Sequence, residues 1–401
     1  MPASRRFTEV AAALAVAAFL LSWGLVHTGW YDDHEIVDIP VYEKYGSAIE
    51  SGAVPYRDIE PEYPPGALPA FAVPALLSHD LRDFRDAFEW LMAACGAVAV
   101  LLAAVSLAAL RASRARTVAA LALATGFPLL LGSVVLTRFD LYPAALVAGA
   151  LAALVHRRDR LGLGLLGAAV AVKLYPAVLL PVAAAYVWQR RGRREALICL
   201  GLAAAVVAAV FLPFLVVAPD GVAHSIGRQL SRPLQIESLG AALYLAAHHL
   251  LGIHVEMRSG HGSQNLFGAG TTFAAVLLSL MQLGALVWIW SRRPRSADEL
   301  VRWSAAALVA FVALGKVLSP QFLIWLAPIV PLVAGLRGLR ASGLLAAGLV
   351  LTQLWFPSRY WELARELDPL ASSLVLARDF VLVALLVVLV RGSRPEPAQS
   401  P

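Results

Sequence analysis

The stretch AALAVAAFLLSWGLV at residues 12–26 contains a single hydroxyl group, that of Ser22, and no charged side chain. The stretch VLVALLVVLV at residues 381–390 is apolar throughout, and comparable runs lie between the two. About 20 consecutive apolar residues cross the hydrocarbon core of a bilayer as a helix. Because lipid offers the backbone no hydrogen-bond partner, a spanning segment is either a helix or a strand of a closed barrel. Barrel strands alternate apolar and polar residues, and these runs do not, so the sequence predicts an all-α polytopic membrane protein.

The composition of the whole chain supports the same fold class. Of 401 residues, 59% are apolar and 15% are charged, against about 45–50% and about 25% in soluble domains. The formal net charge of +6 is sorted by side of the membrane, so we expect no nucleic-acid partner. Cys95 and Cys199 both lie in apolar runs, where we expect them to pack rather than to bind zinc or form a disulfide.

Basic clusters set the orientation of about 12 predicted helical segments, which form a single transmembrane domain over residues 1–391. The segment at 161–188 lies between HRRDR and QRRGRR, two basic clusters that should share a side. Its midpoint carries Lys173 and Pro176, and proline cannot continue a helix, so we predict two short helices, in and back, with Lys173 near the turn. This topology places 20 of the 33 Lys and Arg residues, and six of the 27 acidic residues, on the side of both termini. The positive-inside rule makes that side cytoplasmic.

The opposite, extracytoplasmic side then carries two long loops, at about 29–86 and 218–268. The first loop is rich in Asp and Glu, with Tyr and Pro between them, a mixture that favours a structured loop. A carboxylate held beside apolar membrane surface can act as a general base. We expect the amphipathic residues 78–90 to lie in the outer interface, residues 322–336 to form a spanning helix, and the Pro-rich residues 392–401 to be a disordered cytoplasmic tail.

Five short motifs follow one another along the chain, each at the predicted extracytoplasmic end of a membrane span. They are Asp38-x-x-x-Tyr42 with Gly52-x-x-Pro55-Tyr56 and Glu62-Tyr63-Pro64-Pro65, then Arg138-Phe139-Asp140, then Lys173-x-x-Pro176, then Arg232-Pro-Leu-Gln235-Ile-Glu237-Ser238-Leu239, and last Leu318-Ser319-Pro320-Gln321-Phe-Leu-Ile-Trp325. Together they resemble the family-87 glycosyltransferases, which belong to the GT-C superfamily of polytopic membrane enzymes. The resemblance extends over about residues 30–330 and implies a GT-C-like fold.

The resemblance implies a transferase that moves a sugar from a polyprenyl-phosphate carrier to an acceptor outside the cell. Mannose, or arabinose, is the sugar it implies, and an envelope glycolipid or polysaccharide is the acceptor. Nucleotide sugars are cytoplasmic, so polar residues that face outward independently favour a membrane-borne donor. The Ala-, Leu- and Arg-rich composition indicates a high-GC genome, which suits the plasma membrane of an actinobacterium.

The implied reaction is a single inverting displacement, in which one carboxylate deprotonates the acceptor hydroxyl and polyprenyl phosphate leaves. The resemblance gives Asp38 the role of this base, and Asp33 and Asp32 remain alternatives. A leaving phosphate is stabilised by cations, so no second acid is required. No metal is required either, although a divalent cation at Asp32 and Asp33 stays open.

Charged residues inside or beside the spans are costly and are usually functional. We therefore expect the donor phosphate to contact a set of intramembrane lysines and rim arginines: Lys173, Lys316, Arg138, Arg232 and Arg228. Salt bridges or lipid headgroups are the alternative partners of the arginines. The resemblance assigns substrate contacts to a second set: Tyr42, Glu62, Tyr63, Asp140, Gln235, Glu237 and Gln321. For Asp140 we favour an ion pair with Arg138 over a substrate contact.

Two other functions are compatible with many spans. A lipid or polysaccharide transporter or flippase would explain the intramembrane lysines, but not the acidic loop or the ordered motifs. Transporters are also often built from inverted repeats, and no repeat is visible. A non-catalytic scaffold for envelope assembly is the third reading, which the intact Asp38 and Lys173 argue against.

Overall fold

A computed structural model describes residues 3–31 and 36–391, apart from the side chain of Trp30. The predicted disordered tail at 392–401 lies outside the described residues. Within them the chain is largely helical, as predicted, and it carries one antiparallel hairpin that was not predicted, formed by β1 (Val255–Gly260) and β2 (Ser263–Gly268). The α-helices, in chain order, are α1 (Arg5–Leu25), α2 (Ile39–Glu50), α3 (Pro69–Ala75), α4 (Leu81–Ala109), α5 (Arg114–Leu131), α6 (Val134–Thr137), α7 (Leu141–Val155), α8 (Asp159–Val172), α9 (Leu180–Val217), α10 (Pro219–Leu230), α11 (Leu239–Leu251), α12 (Thr271–Trp290), α13 (Ala297–Ala313), α14 (Gly335–Gln353) and α15 (Pro369–Val390).

Helix length and hydropathy identify a multi-pass membrane protein. In the described part of the chain, six helices are long and apolar enough to cross a bilayer: α1, α4, α5, α9 with the turn that precedes it, α12 and α15. Shorter apolar segments at Leu141–Val155, Leu239–Leu251 and Pro320–Leu332 add to these. The total of about 12 segments, and the side on which each terminus lies, stay predictions.

The helices pack in two connected groups. In the first, α1 contacts α4 and α5, α7 lies between α4 and α8, and α8 packs along α9. In the second, α14 pairs with α15, and α13 contacts α15 and α12, while α14 also reaches α5. Helix α13 lies at the centre, where the run from Ala305 to Ala310 is fully buried.

The break predicted at Lys173 is present. Helix α8 ends at Val172, Lys173 has extended backbone, and a 3₁₀ turn at Tyr175–Leu179 leads into α9. At the other end of α8, the Asp159 carboxylate contacts Arg191 at 2.9 Å and Arg190 at 3.2 Å. The start of α8 therefore lies close to the basic cluster QRRGRR, as the prediction of two short helices, in and back, requires.

One detail of the sequence-based prediction is wrong. Residues 322–336 are not a spanning α-helix but 3₁₀ turns at Pro320–Trp325 and Val330–Leu332, because prolines interrupt the helical hydrogen bonding. Most of residues 78–90 belong to α4, whose first turn is capped by the Asp80 carboxylate. Their position in the outer interface stays a prediction. The two long loops contain helices, and the first is structured as expected: α2 and α3 lie in the first loop, and α10 and α11 in the second.

A close backbone approach at Gly66 fixes the first loop against the break after α8. Gly66 lies in the 3₁₀ turn Pro65–Ala67, and a Cβ at this position would lie 2.6 Å from the carbonyl carbon and oxygen of Ala171. The absence of a side chain at Gly66 thus lets Tyr63 approach Lys173.

We predict that Gly66→Ala lowers the free energy of unfolding by about 1–3 kcal/mol, because the added methyl group must displace backbone. Thermal unfolding in detergent measures the change. Gly201→Ala in α9 is the control, since a Cβ there meets no atom within 4 Å. Equal melting temperatures for the two variants would contradict the prediction.

Candidate active site

Asp38 lies directly before α2. Pro40, in the first turn of α2, favours the start of the helix at this point. The Asp38 side chain is 33% exposed, and its Oδ1 lies 3.2 Å from Nη1 of Arg138, whose side chain is 7% exposed. The Tyr42 hydroxyl donates a hydrogen bond to Oδ2 at 3.3 Å. An accessible carboxylate is thus oriented by a buried guanidinium and a phenol, a geometry that suits a general base.

Packed aromatic rings hold this carboxylate in place. The buried ring of Tyr42 stacks on Phe71 at 4.7 Å and meets the edge of Phe139 at 5.8 Å. Tyr63 packs edge-on against Phe139 at 4.8 Å, and burial holds the pKa values of Tyr42 and Tyr63 well above the usual range. Both phenols are therefore neutral hydrogen-bonding groups at physiological pH.

A second carboxylate, Asp140, pairs with Lys173 and not with Arg138 as predicted. Lys173 Nζ lies 2.6 Å from Asp140 Oδ1, and the Trp325 indole donates to the same oxygen at 2.5 Å. Arg138, whose backbone is extended, lies beside Asp38 instead, whereas Asp140 directly precedes α7. Lys173 also lies 4.6 Å from the centre of the Phe139 ring. The ion pair therefore joins the ends of two helices beside Phe139, the ring against which Tyr42 and Tyr63 pack.

A buried amide and carboxylate from the loop at 218–268 complete a cluster of polar side chains. The other members of the cluster are Asp38, Arg138, Asp140 and Lys173. The Gln235 side-chain amide donates to Glu237 Oε2 at 2.5 Å and to the Ser319 hydroxyl at 2.8 Å. Gln235 Oε1 is buried and has no hydrogen-bond partner among the described residues. Burial raises the pKa of Glu237 to about 8, although nearby Arg378 and Arg138 oppose the shift. Glu237 is therefore largely protonated at neutral pH.

The remaining predicted cations occupy different surroundings. Arg228 is neutralised by Glu62 at 3.1 Å. Arg232 and Lys316 form no ion pair within residues 3–31 and 36–391, and both line a groove of about 510 Å³ along α12. The Lys316 side chain donates to the Leu230 carbonyl at 3.1 Å. The backbone carbonyl of Lys316 accepts from the backbone N–H of Gln235 at 3.0 Å. Because Lys316 lines the groove and its backbone is hydrogen-bonded to Gln235, the groove adjoins the cluster.

Comparison with known proteins identifies the family. The family model of glycosyltransferase family 87 matches residues 62–320. The chain belongs to this family. It is therefore a membrane glycosyltransferase, which favours the enzyme over the transporter and scaffold alternatives.

Solved structures are similar to the chain at low sequence identity. ArnT from Cupriavidus metallidurans bound to undecaprenyl phosphate is 16% identical with a TM-score of 0.49, and the same protein in the apo state is 15% identical with a TM-score of 0.48. Each comparison covers 94% of this chain and 76% of that chain. No curated protein matches the chain.

The structure brings most of the predicted site residues of this family-87 glycosyltransferase into one region, with exceptions. Asp32 and Asp33, the alternative bases and the open metal site, lie outside the described residues. Gln321 is half-buried at the start of the turn Pro320–Trp325. Among the residues that are described, no three His, Cys, Asp or Glu side chains are close enough to hold a metal ion.

Sequence reasoning missed four residues of the cluster: Ser319, Trp325, Tyr360 and Arg378. Ser319 and Trp325 follow or belong to a quoted motif, but nothing in the sequence points to their partners. Burial raises the pKa of Tyr360 above its usual range, and the charges of Glu237, Arg138 and Asp38 also affect this pKa. Arg378 interrupts the last apolar run, and such an intramembrane charge is a signal that could have found it.

We predict that Asp140→Asn and Lys173→Met each lower the free energy of unfolding by about 3–5 kcal/mol, because each leaves a buried charge without its partner. The two changes together should cost much less than their sum. Chemical unfolding in detergent gives this coupling. The exposed pair of Arg57 and Asp58, changed to alanine singly and together, is the control and should be nearly additive. Additive costs at Asp140 and Lys173 would contradict the pairing.

Proposed function

We propose that this glycosyltransferase moves a hexose, mannose, from a polyprenyl-phosphate donor to an envelope glycolipid or polysaccharide by inverting displacement. The observation that carries the proposal is the partly exposed Asp38 carboxylate, which lies beside buried polar groups and near a groove that is lined by Arg232 and Lys316. A base, a sugar-contacting cluster and a phosphate site are the three parts that such a reaction needs.

The reaction requires one proton transfer and one displacement. Asp38 takes the proton of the acceptor hydroxyl as its oxygen attacks the anomeric carbon. The bond from that carbon to the phosphate oxygen breaks, and polyprenyl phosphate leaves with the bonding electrons. Arg138 and Tyr42 hold the two oxygens of Asp38, so the carboxylate is oriented before the acceptor binds.

Charge pairing favours Arg232 and Lys316 as the phosphate ligands. Arg138, Lys173 and Arg228 each have a carboxylate partner, so their charges are largely balanced. Arg232 and Lys316, in the part of the chain that the structure describes, have none. Both lie in the groove beside α12, and a phosphate held there would bring its sugar next to Gln235 and Glu237.

The shape of the groove suits a lipid tail. It runs beside α12 from Thr271 to Leu283, a length of about 18 Å at 1.5 Å per residue. Its lower part is apolar, with Val276, Leu280 and Leu283 in its wall. A polyprenyl chain can lie along these side chains while its phosphate stays at Arg232 and Lys316.

The position of the site along the helices favours an extracytoplasmic reaction. Helix α8 begins at Asp159 among basic residues and ends 14 residues later, beside Lys173, so the cluster lies about 21 Å from the basic side. If that side is cytoplasmic by the positive-inside rule, the cluster opens towards the outer face. We propose the plasma membrane as the location, with both termini in the cytoplasm.

We predict that Asp38→Asn lowers transfer by about 10²–10⁴-fold, the usual contribution of a general base. The assay uses liposomes, radiolabelled polyprenyl-phosphate mannose, with the arabinose donor in parallel, and membrane glycolipid extract as acceptor. Asp58→Asn is the control, because Asp58 is an exposed carboxylate of the same loop, paired with Arg57. Undiminished transfer by folded Asp38→Asn would move the base to Asp33 or Asp32.

We predict that the KM for the donor rises as the pH increases above about 8. Below its pKa of about 8 Glu237 is neutral, and above it the new carboxylate charge repels the donor phosphate. Glu237→Gln stays neutral at every pH, so its KM should be flat over the same range. Steady-state kinetics between pH 6 and 9.5 measure both proteins. An equal rise in the variant would assign the effect to another group.

A further inference from the structure

Two adjacent charged residues, Arg378 and Asp379, are fully buried within α15. Arg378 Nε lies 2.7 Å from Asp379 Oδ1, and both side chains are 0% exposed. The Arg378 guanidinium also lies 5.7 Å from the centre of the Trp355 ring. Charged groups inside a membrane helix are expensive, and they are retained where they act on something.

Stability alone does not account for this pair. Replacing a buried ion pair by apolar side chains of similar volume is often neutral or stabilising. The pair has a polar contact outside its own helix, since Arg378 Nη2 donates a hydrogen bond of 2.7 Å to the backbone carbonyl of Glu237. Asp379 thus balances the charge of Arg378, while the guanidinium reaches the second outer loop.

The backbone that Arg378 contacts is held from the other side by the hairpin. The Ile236 amide donates to the Gln264 carbonyl at 3.0 Å, and the Ser238 amide donates to the Gln235 carbonyl at 3.0 Å. Ser238 then caps α11 by accepting from the Ala241 amide. Arg378 supplies the contact from α15, so the peptide of Glu237 is fixed between the last helix and β2.

We propose that Arg378, with its charge balanced by Asp379, is a positioning residue that fixes the Glu237 backbone and so aims the side chains of Glu237 and Gln235 at the donor sugar. The part that concerns the sugar rests on the proposed function. The part that concerns the backbone does not, because it follows from the contact between Arg378 and the Glu237 carbonyl.

The paired replacement Arg378→Met with Asp379→Leu tests the proposal. It removes both charges together, so no buried charge is left alone, whereas either single change would risk unfolding. Arg302→Met is the matched control. Arg302 binds the other end of α15, where it donates to the carbonyls of Leu389 and Arg391 at 2.7 Å each, far from the cluster. If the apolar pair does not fold, Arg378→Gln with Asp379→Asn replaces it and removes the same charged donor.

The first readout does not depend on the donor. Hydrogen exchange of the backbone amides at 234–241 should become at least tenfold faster in the paired variant and stay unchanged in Arg302→Met. Unchanged exchange in a folded paired variant would overturn the proposal. If the wild type transfers no sugar from any polyprenyl phosphate, the proposed function fails, but this readout still decides whether Arg378 fixes the loop.

The second readout is transfer. The kcat/KM for the donor should fall at least tenfold in the paired variant, and Arg378→Lys, which keeps a charged donor beside Asp379, should recover most of it. A merely structural role would not give this recovery at an equal melting temperature. Glu237→Gln with Gln235→Leu should lose at least as much activity as the paired variant. If that variant retains full activity while the paired variant loses it, Arg378 does not act through the loop and the proposal is wrong.

Discussion

The ion pair between Lys173 and Asp140 joins the helix ends on which the candidate site is built. Lys173 directly follows α8 and Asp140 directly precedes α7, and Nζ of the lysine lies 2.6 Å from Oδ1 of the aspartate. Trp325 from the Pro320–Trp325 turn donates to the same carboxylate. A buried charge costs several kcal/mol unless it is paired. One carboxylate therefore constrains three segments that are far apart in sequence.

The site lies where helices stop, and the membrane explains why those stops are inside the protein. Backbone that is not helical leaves polar groups without partners, which lipid cannot supply, so irregular segments at membrane depth must be buried by protein. The turns at Pro320–Trp325 and Val330–Leu332 contain fully buried residues such as Leu323 and Val330. Helix ends thus gather at the centre, and they bring the side chains of several helices into one cluster.

Hydropathy and charge patterning could predict the spans and the break at Lys173, because both follow from the sequence of one segment. The turns at 320–332 were missed because an apolar run has the same hydropathy whether it is helical or not. The partner of Asp140 was missed because nearness in sequence says little about side-chain direction. Arg138 and Asp140 are two residues apart, yet one pairs with Asp38 and the other with Lys173.

The motifs predicted which residues gather, but not what each contacts. Asp38, Arg138, Gln235 and Glu237 were chosen from patterns, and the structure brings them together. Arg378 and Tyr360 belong to no quoted motif. The charge within an apolar run singles out Arg378, but only the tertiary fold shows that both residues lie at the cluster. A motif identifies residues within one segment of the sequence. The contact of Arg378 with the Glu237 backbone depends on how distant segments of the chain pack together.

Several polar atoms of the cluster are buried without a hydrogen-bond partner among the described residues, including Arg138 Nε, Asp140 Oδ2, Arg232 Nε and Gln235 Oε1. Each such atom costs about 1–3 kcal/mol, and apolar side chains would avoid that cost. Polar groups that are already oriented stabilise a transition state more than groups that must reorganise as charge develops. For a glycosyltransferase, whose reaction creates charge on a leaving group, buried polar atoms without a partner weaken the fold but remain available to a substrate. Stability and activity therefore make opposite demands on the polar groups of this cluster.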